Sequence, residues 1–148
     1  MAFIAEKDPG LIPQILSLIL DECINGITLA DPDLEDMPIV YANKAFVAVT
    51  GYSQEEVVGR NCRFLQGDDR NQEEIKRIKE AINEQKPVEV VLRNYKKNGD
   101  LFYNKFKIIP LFDRSGKLIY FLGVQYDVTR QVVDEETISN LRKQLESL

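Results

Sequence analysis

The chain has 148 residues, 44% of them apolar and 29% charged, and a net charge of −5. That length suits one domain with a core of its own, without metal or disulfide staples. The acidic balance argues against a general nucleic-acid binder, which needs a basic surface to meet phosphates.

Histidine is absent. That excludes Ser-His-Asp and Cys-His catalysis, H-E-x-x-H metal sites and histidine-ligated haem. The two cysteines, Cys23 and Cys62, form no disulfide framework and no C-x-x-C pair, so a reducing, cytoplasmic setting is expected. The start, "MAFIAEKDPG", has no basic n-region and no small-residue cleavage site, which reads against a signal peptide. The apolar stretch "LIPQILSLIL" is shorter than the ~20 residues a bilayer span takes, so no membrane segment is expected.

In chain order, residues 10–24 read as a helix with Pro13 in its first turn, where proline is tolerated. Its apolar residues fill more than one stripe, so it needs cover on two sides. "GITLAD" and "PIVYAN" are short strands, separated by the turn "DPDLEDMP". "NKAFVAVTGYS" is a short helix stopped by Gly51, and Ser53 with Glu56 forms a capping box for the next one. Asn71 and Glu74 suggest a second capping box, ahead of a helix with Ile75, Ile78 and Ile82 on one face. Pro87 marks its end.

"VEVVLRNYKK" and "LFYNKFKIIPLF" flank Asn98-Gly99, a strong hairpin signal, and "DRSG" turns the chain into "KLIYFLGVQYDVT". The order predicts an α+β fold: a five-stranded antiparallel sheet with helices on one face. At the end, Ile138, Leu141, Leu145 and Leu148 recur at coiled-coil spacing.

Asn94, Asn104 and Gln125 fall on three neighbouring strands. A plain two-residue turn would set residue 94 opposite 103 and send Asn104 to the other face. One extra loop residue, or one bulge, puts Asn94 opposite Asn104 on the same face. Gly123 would let a flat group approach the sheet. Three carboxamides amid Val90, Leu92, Phe106 and Ile108 can read the polar edge of a planar heterocycle. A solvated sheet face is the alternative. Cys62, taken alone, reads as a small buried residue.

"GRNCRFLQG", Gly59 to Gly67, resembles the flavin-binding LOV (light-oxygen-voltage) photoreceptor domains of the PAS fold. The resemblance continues through "NGITLADPDLEDMPIVYANKAFVAVTGYSQEEVV", "LRNYKKNGDLFYNKFKIIPL" and "YFLGVQYDVTRQ", over about residues 25–131. It implies an N-terminal flanking helix over 1–24, a LOV/PAS core over 25–129 and a C-terminal linker helix over 130–148.

The resemblance also implies a blue-light sensor, not an enzyme, in which light drives a reversible bond between Cys62 and flavin carbon C4a. N5 is then protonated, and Gln125 passes the change to the terminal helices. Arg63 would pair with the flavin phosphate, and Asn61 and Gln66 would contact the ribityl chain and ring. Asn94 and Asn104 would hold the pyrimidine edge, with Gln125 near N5. Thr28, Leu65, Ile78, Ile82, Leu92, Phe106 and Ile108 would form the walls. Lys79 stands where a second phosphate arginine is common, with Arg77 as a nearby substitute. FMN is therefore expected ahead of FAD or riboflavin.

A homodimer through the terminal helices is expected, with a STAS module, a histidine kinase or nothing as effector. A light-inert PAS interaction module and a dark flavin-redox sensor are the alternatives.

Overall fold

A computed structural model describes residues 12–148. Residues 10 and 11 of the expected first helix lie outside the described residues; the helix runs as α1, Ile12–Glu22. Then come β1 (Gly26–Ala30), β2 (Ile39–Ala42), α2 (Lys44–Thr50) and α3 (Gln54–Val57). A 3-10 turn over Cys62–Gln66 precedes α4 (Glu73–Glu84). Strands β3 (Val88–Tyr95), β4 (Leu101–Phe112) and β5 (Leu118–Asp127) lead into α5 (Thr129–Glu146). The five strands pair antiparallel in the order β2-β1-β5-β4-β3. The expected α+β sheet is the one observed.

The caps are legible in part. Ser53 and Glu56 form the reciprocal box, with Glu56 N donating to Ser53 Oγ at 3.2 Å and Ser53 N to Glu56 Oε1 at 3.1 Å. Asn71 is not the cap of α4. Gln72 holds that place and makes no side-chain cap bond. Its amide is used elsewhere: Arg93 N donates to Gln72 Oε1 at 2.8 Å, and Gln72 Nε2 donates to Arg93 O at 3.0 Å. β3 is an edge strand, so Gln72 closes two backbone groups that the sheet leaves open.

The hairpin loop has three residues, Lys97 to Gly99, with Gly99 at φ +92° in the left-handed region that glycine enters freely. Lys96 N donates to Asp100 O at 2.9 Å across it. The extra residue shifts the register the other way from the expected one. Asn94 faces Phe102, and Asn104 faces Leu92. The two asparagines still share a face, but diagonally.

Two buried clusters fill the space between sheet and helices. Ile78, Val90, Leu92, Phe106, Ile108 and Phe121 form one; Ile39, Ala42, Phe46, Val57 and Leu65 form the other. Cys62 packs against both. Ile75, Ile78 and Ile82 meet the first cluster, as their spacing predicts.

Asn43 ties the amino-terminal half together. Its fully buried side chain accepts from Ile27 N at 2.8 Å and Phe46 N at 3.1 Å, and donates to Leu20 O at 2.7 Å and Asn25 O at 3.1 Å. One amide thus joins α1, β1 and α2. Asn43→Ala would orphan several buried groups at once. We expect a loss of about 2–4 kcal/mol in urea unfolding; a change under about 0.5 kcal/mol would contradict this role.

Candidate functional site

A cavity of about 230 Å3 lies between the sheet, α4 and the 3-10 turn. Asn61, Cys62, Arg63, Leu65, Gln66, Ile78, Lys79, Ile82, Leu92, Asn94 and Phe106 line it, all expected from the sequence. Met37, Arg70 and Ile75 line it as well and were not expected. Ile75 was legible as part of the α4 stripe. Arg77 is exposed and does not line the cavity, whereas Arg70 does.

Thr28, Asn104, Ile108, Gly123 and Gln125 are buried but do not line the cavity. They stand beside it on the same side of the sheet. Asn104 Nδ2 donates to Asn94 Oδ1 at 3.0 Å, and Gln125 Nε2 donates to Thr28 Oγ1 at 3.3 Å. Gly123 leaves room for its neighbours. A Cβ there would lie 2.5 Å from Thr28 Oγ1, 2.9 Å from Phe106 Cε1 and 3.1 Å from Gln125 Nε2. Asn104 Oδ1 and Gln125 Oε1 are buried without a hydrogen-bond partner, the two side-chain atoms of that kind among the described residues. An unpaired buried carbonyl costs about 1–3 kcal/mol, so two on one sheet face mark a place where a polar edge belongs.

The 3-10 turn is held from both ends. Asn61 caps it by accepting from Arg63 N at 3.0 Å, while Asn61 Nδ2 donates to Asp36 O at 2.7 Å. At its far end Asp69 binds Arg93 through two bonds, at 2.7 and 2.8 Å, and accepts from Tyr95 Oη at 2.7 Å. The Arg93 bonds, helped by Tyr95, hold the Asp69 carboxyl down at about 2. Arg93 and Tyr95 are pushed up by the same contacts.

Cys62 is half-buried as a residue, but its thiol lies in the apolar junction of the two clusters. Burial pushes the thiol up to about 11, and the nearby Arg63 charge only partly opposes this. It is a protonated thiol at neutral pH, not a thiolate nucleophile. Among the described residues no group of histidine, cysteine and acidic side chains is arranged to hold a metal ion. No described helix is long and apolar enough to cross a membrane.

The PAS domain family model matches residues 24–130. The chain belongs to the PAS domain family. Within it, the chain is 45% identical over 106 residues to a blue-light photoreceptor of Listeria innocua, covering 72% of this chain and 42% of that protein. It is 44% identical over 124 residues to phototropin-2 of Oryza sativa subsp. japonica, covering 83% of this chain and 14% of that protein. A solved RNA-binding light-oxygen-voltage receptor superposes with a TM-score of 0.86 at 33% identity, over 99% of this chain and 41% of that one.

This PAS domain is a blue-light sensory domain of the LOV type. It spans less than half the length of these relatives. Membership implies a flavin chromophore, and the site fits one. The cavity has apolar walls, amides on its sheet side and the exposed cations Arg63, Arg70 and Lys79 at its opening. That donor set suits a flat ring with a polar edge and an anionic tail.

Asp69 contributes to how the PAS domain's stability depends on acid pH. Its folded pKa of about 2 lies below the ordinary 3.8, so its contribution is present above pH 3.8 and lost as pH falls towards 2. Asp69→Asn should therefore lower stability at neutral pH and flatten the loss between pH 3.8 and about 2. Denaturant titrations at stepped pH check this; identical slopes in both proteins would remove Asp69 from the clamp.

Proposed function

We propose that this LOV domain binds FMN and signals blue light through a reversible bond between Cys62 and the flavin. The carrying observation is that Cys62 lines a cavity beside which, on the same sheet face, the Asn104 and Gln125 carbonyls are buried without a partner. A bound flavin supplies blue-light absorption and a ring carbon that accepts sulfur once excited. Light thereby replaces the imidazole that this chain lacks.

The residues have distinct tasks. Cys62 would hold its proton on Sγ in the dark and give it up to flavin N5 as the sulfur bonds C4a. Leu65, Ile78, Ile82, Leu92 and Phe106 exclude water from the ring site. Asn94 and Asn104, already bonded to each other, present amide groups to the ring's polar edge. Thr28 and Ile108 support that face, and Gly123 keeps room for Gln125. Arg63, Arg70 and Lys79 meet the phosphate, with Asn61 and Gln66 nearer the chain that carries it. A phosphate tail favours FMN over riboflavin.

Gln125 is the relay. A carboxamide can offer either an N–H or an oxygen, so a change in proton position on the ligand reverses which end it presents. Gln125 lies two residues before the end of β5. The corner that follows is pinned to β4: Val128 N donates to Tyr103 O at 2.9 Å, and Tyr103 N to Thr129 Oγ1 at 2.9 Å. α5 then leaves the body with no buried residue.

The outward apolar residues of α1 (Ile15, Leu16, Leu18, Ile19) and α5 (Ile138, Leu141, Leu145) support a homodimer through these helices. The flanks at 1–24 and 130–148 are the joints to the 25–129 core, and the effector, a STAS module, a histidine kinase or none, would be read there. The net charge of −5 gives no support to direct RNA binding.

Cys62→Ala should retain a yellow cofactor and lose reversible bleaching in blue light. Bleaching that continues unchanged would sink the sulfur–flavin bond. Gln125→Leu should bleach and recover, yet lose most of the light-dependent change in the terminal helices, read by hydrogen exchange. An undiminished change would remove Gln125 from the relay.

A further inference from the structure

Beside the cavity, a carboxylate engages one of the lining cations on which the phosphate reading calls. Asp36 pairs with the Arg63 guanidinium, and the pair is about half exposed, at 44% for Arg63 and 54% for Asp36. The arrangement is built rather than incidental. Asp36 and Met37 sit at φ +63° and +45°, a left-handed region that non-glycine residues rarely occupy. Asn61 holds them there by donating from Nδ2 to both carbonyls, at 2.7 Å to Asp36 O and 3.4 Å to Met37 O. Met37 in turn lines the cavity. The turn that presents Cys62 and the loop that presents Asp36 are thus one hydrogen-bonded unit.

The neighbouring cations differ. Among the described residues, neither Arg70 nor Lys79 takes part in an ion pair, although both line the same cavity. Arg70 Nε donates only to Gly67 O, at 3.3 Å. A phosphate monoester carries about −1.5 to −2 charges and draws on every cation within reach. At Arg63 it meets a side chain already engaged by a carboxylate. It must share that guanidinium or displace Asp36, while Asp36 repels it.

We propose that Asp36 is a specificity-determining residue for the flavin tail: it competes with the phosphate for Arg63 and so weakens discrimination between FMN and riboflavin. The proposal rests on the flavin reading above. Arg70 and Lys79 carry the larger share of phosphate binding, and Arg63 serves as a tempered third contact. Riboflavin has no phosphate, so its affinity is insensitive to Asp36.

The test measures dissociation constants of FMN and riboflavin for the flavin-free protein by fluorescence quenching. Asp36→Asn keeps the shape of the side chain and suits the left-handed backbone, since asparagine enters that region more readily than most residues. It should tighten FMN by about two- to fivefold, the scale of one exposed ion pair. Riboflavin should change by less than about twofold. On an Arg63→Gln background the gain should vanish, because the coupling runs through Arg63.

Equal shifts for both ligands, a weakened FMN, or a gain that survives in Arg63→Gln would each overturn the proposal. If wild-type protein binds neither flavin, the flavin reading itself fails and takes this one with it. If both bind and Asp36→Asn changes nothing, only the Asp36 proposal fails.

Discussion

A carboxamide buried in an apolar setting must find a partner for each polar atom or destabilise the fold that buries it. On one face of this sheet the domain buries Asn94, Asn104 and Gln125 beside Leu92, Phe106 and Ile108. Some of the need is met internally, through the Asn104–Asn94 and Gln125–Thr28 bonds. The carbonyls of Asn104 and Gln125 are what remains. A face arranged in this way is poor design for a dry core and good design for a ring with a hydrogen-bonding edge. The light-inert interaction module has no comparable use for it.

Around that face lie the Cys62 thiol and three exposed cations. Cys62 is placed by a short turn fastened at Asn61 on one side and by the Asp69–Arg93–Tyr95 clamp on the other. Burial keeps its proton on, which makes it harmless in the dark. A dark redox sensor would profit from a lowered thiol, the opposite of what burial produces here. The cations lining the cavity, Arg63, Arg70 and Lys79, are exposed, and Asp36 pairs with the first of them.

Much of this was legible in the chain. The Ser53–Glu56 box, the α4 isoleucine stripe and the five strands follow from local pattern. A shared face for Asn94 and Asn104 was legible only on condition of one extra loop residue, because a one-residue shift turns a strand's side chains over. Their register was not. Whether the hairpin loop gains its residue before or after Asn98-Gly99 depends on the turn geometry around Gly99, which spacing leaves open. Asn71 looked like a cap, but the sheet edge claimed the neighbouring Gln72 amide and drew the helix start with it. Arg70 and Met37 escaped because each lies in a loop, where no periodicity says which way a side chain points. Asp36 escaped for the same reason, although Arg63 did not.

The proposed light response depends most on Cys62 being a protonated thiol in the dark. The direct measurement is an infrared difference spectrum of the flavin-loaded domain in a Cys23→Ala background, which leaves one thiol in the chain. An S–H stretching band should be present in darkness, vanish under blue light and return as the dark state recovers. A band absent in darkness, or one that blue light leaves untouched, would contradict it.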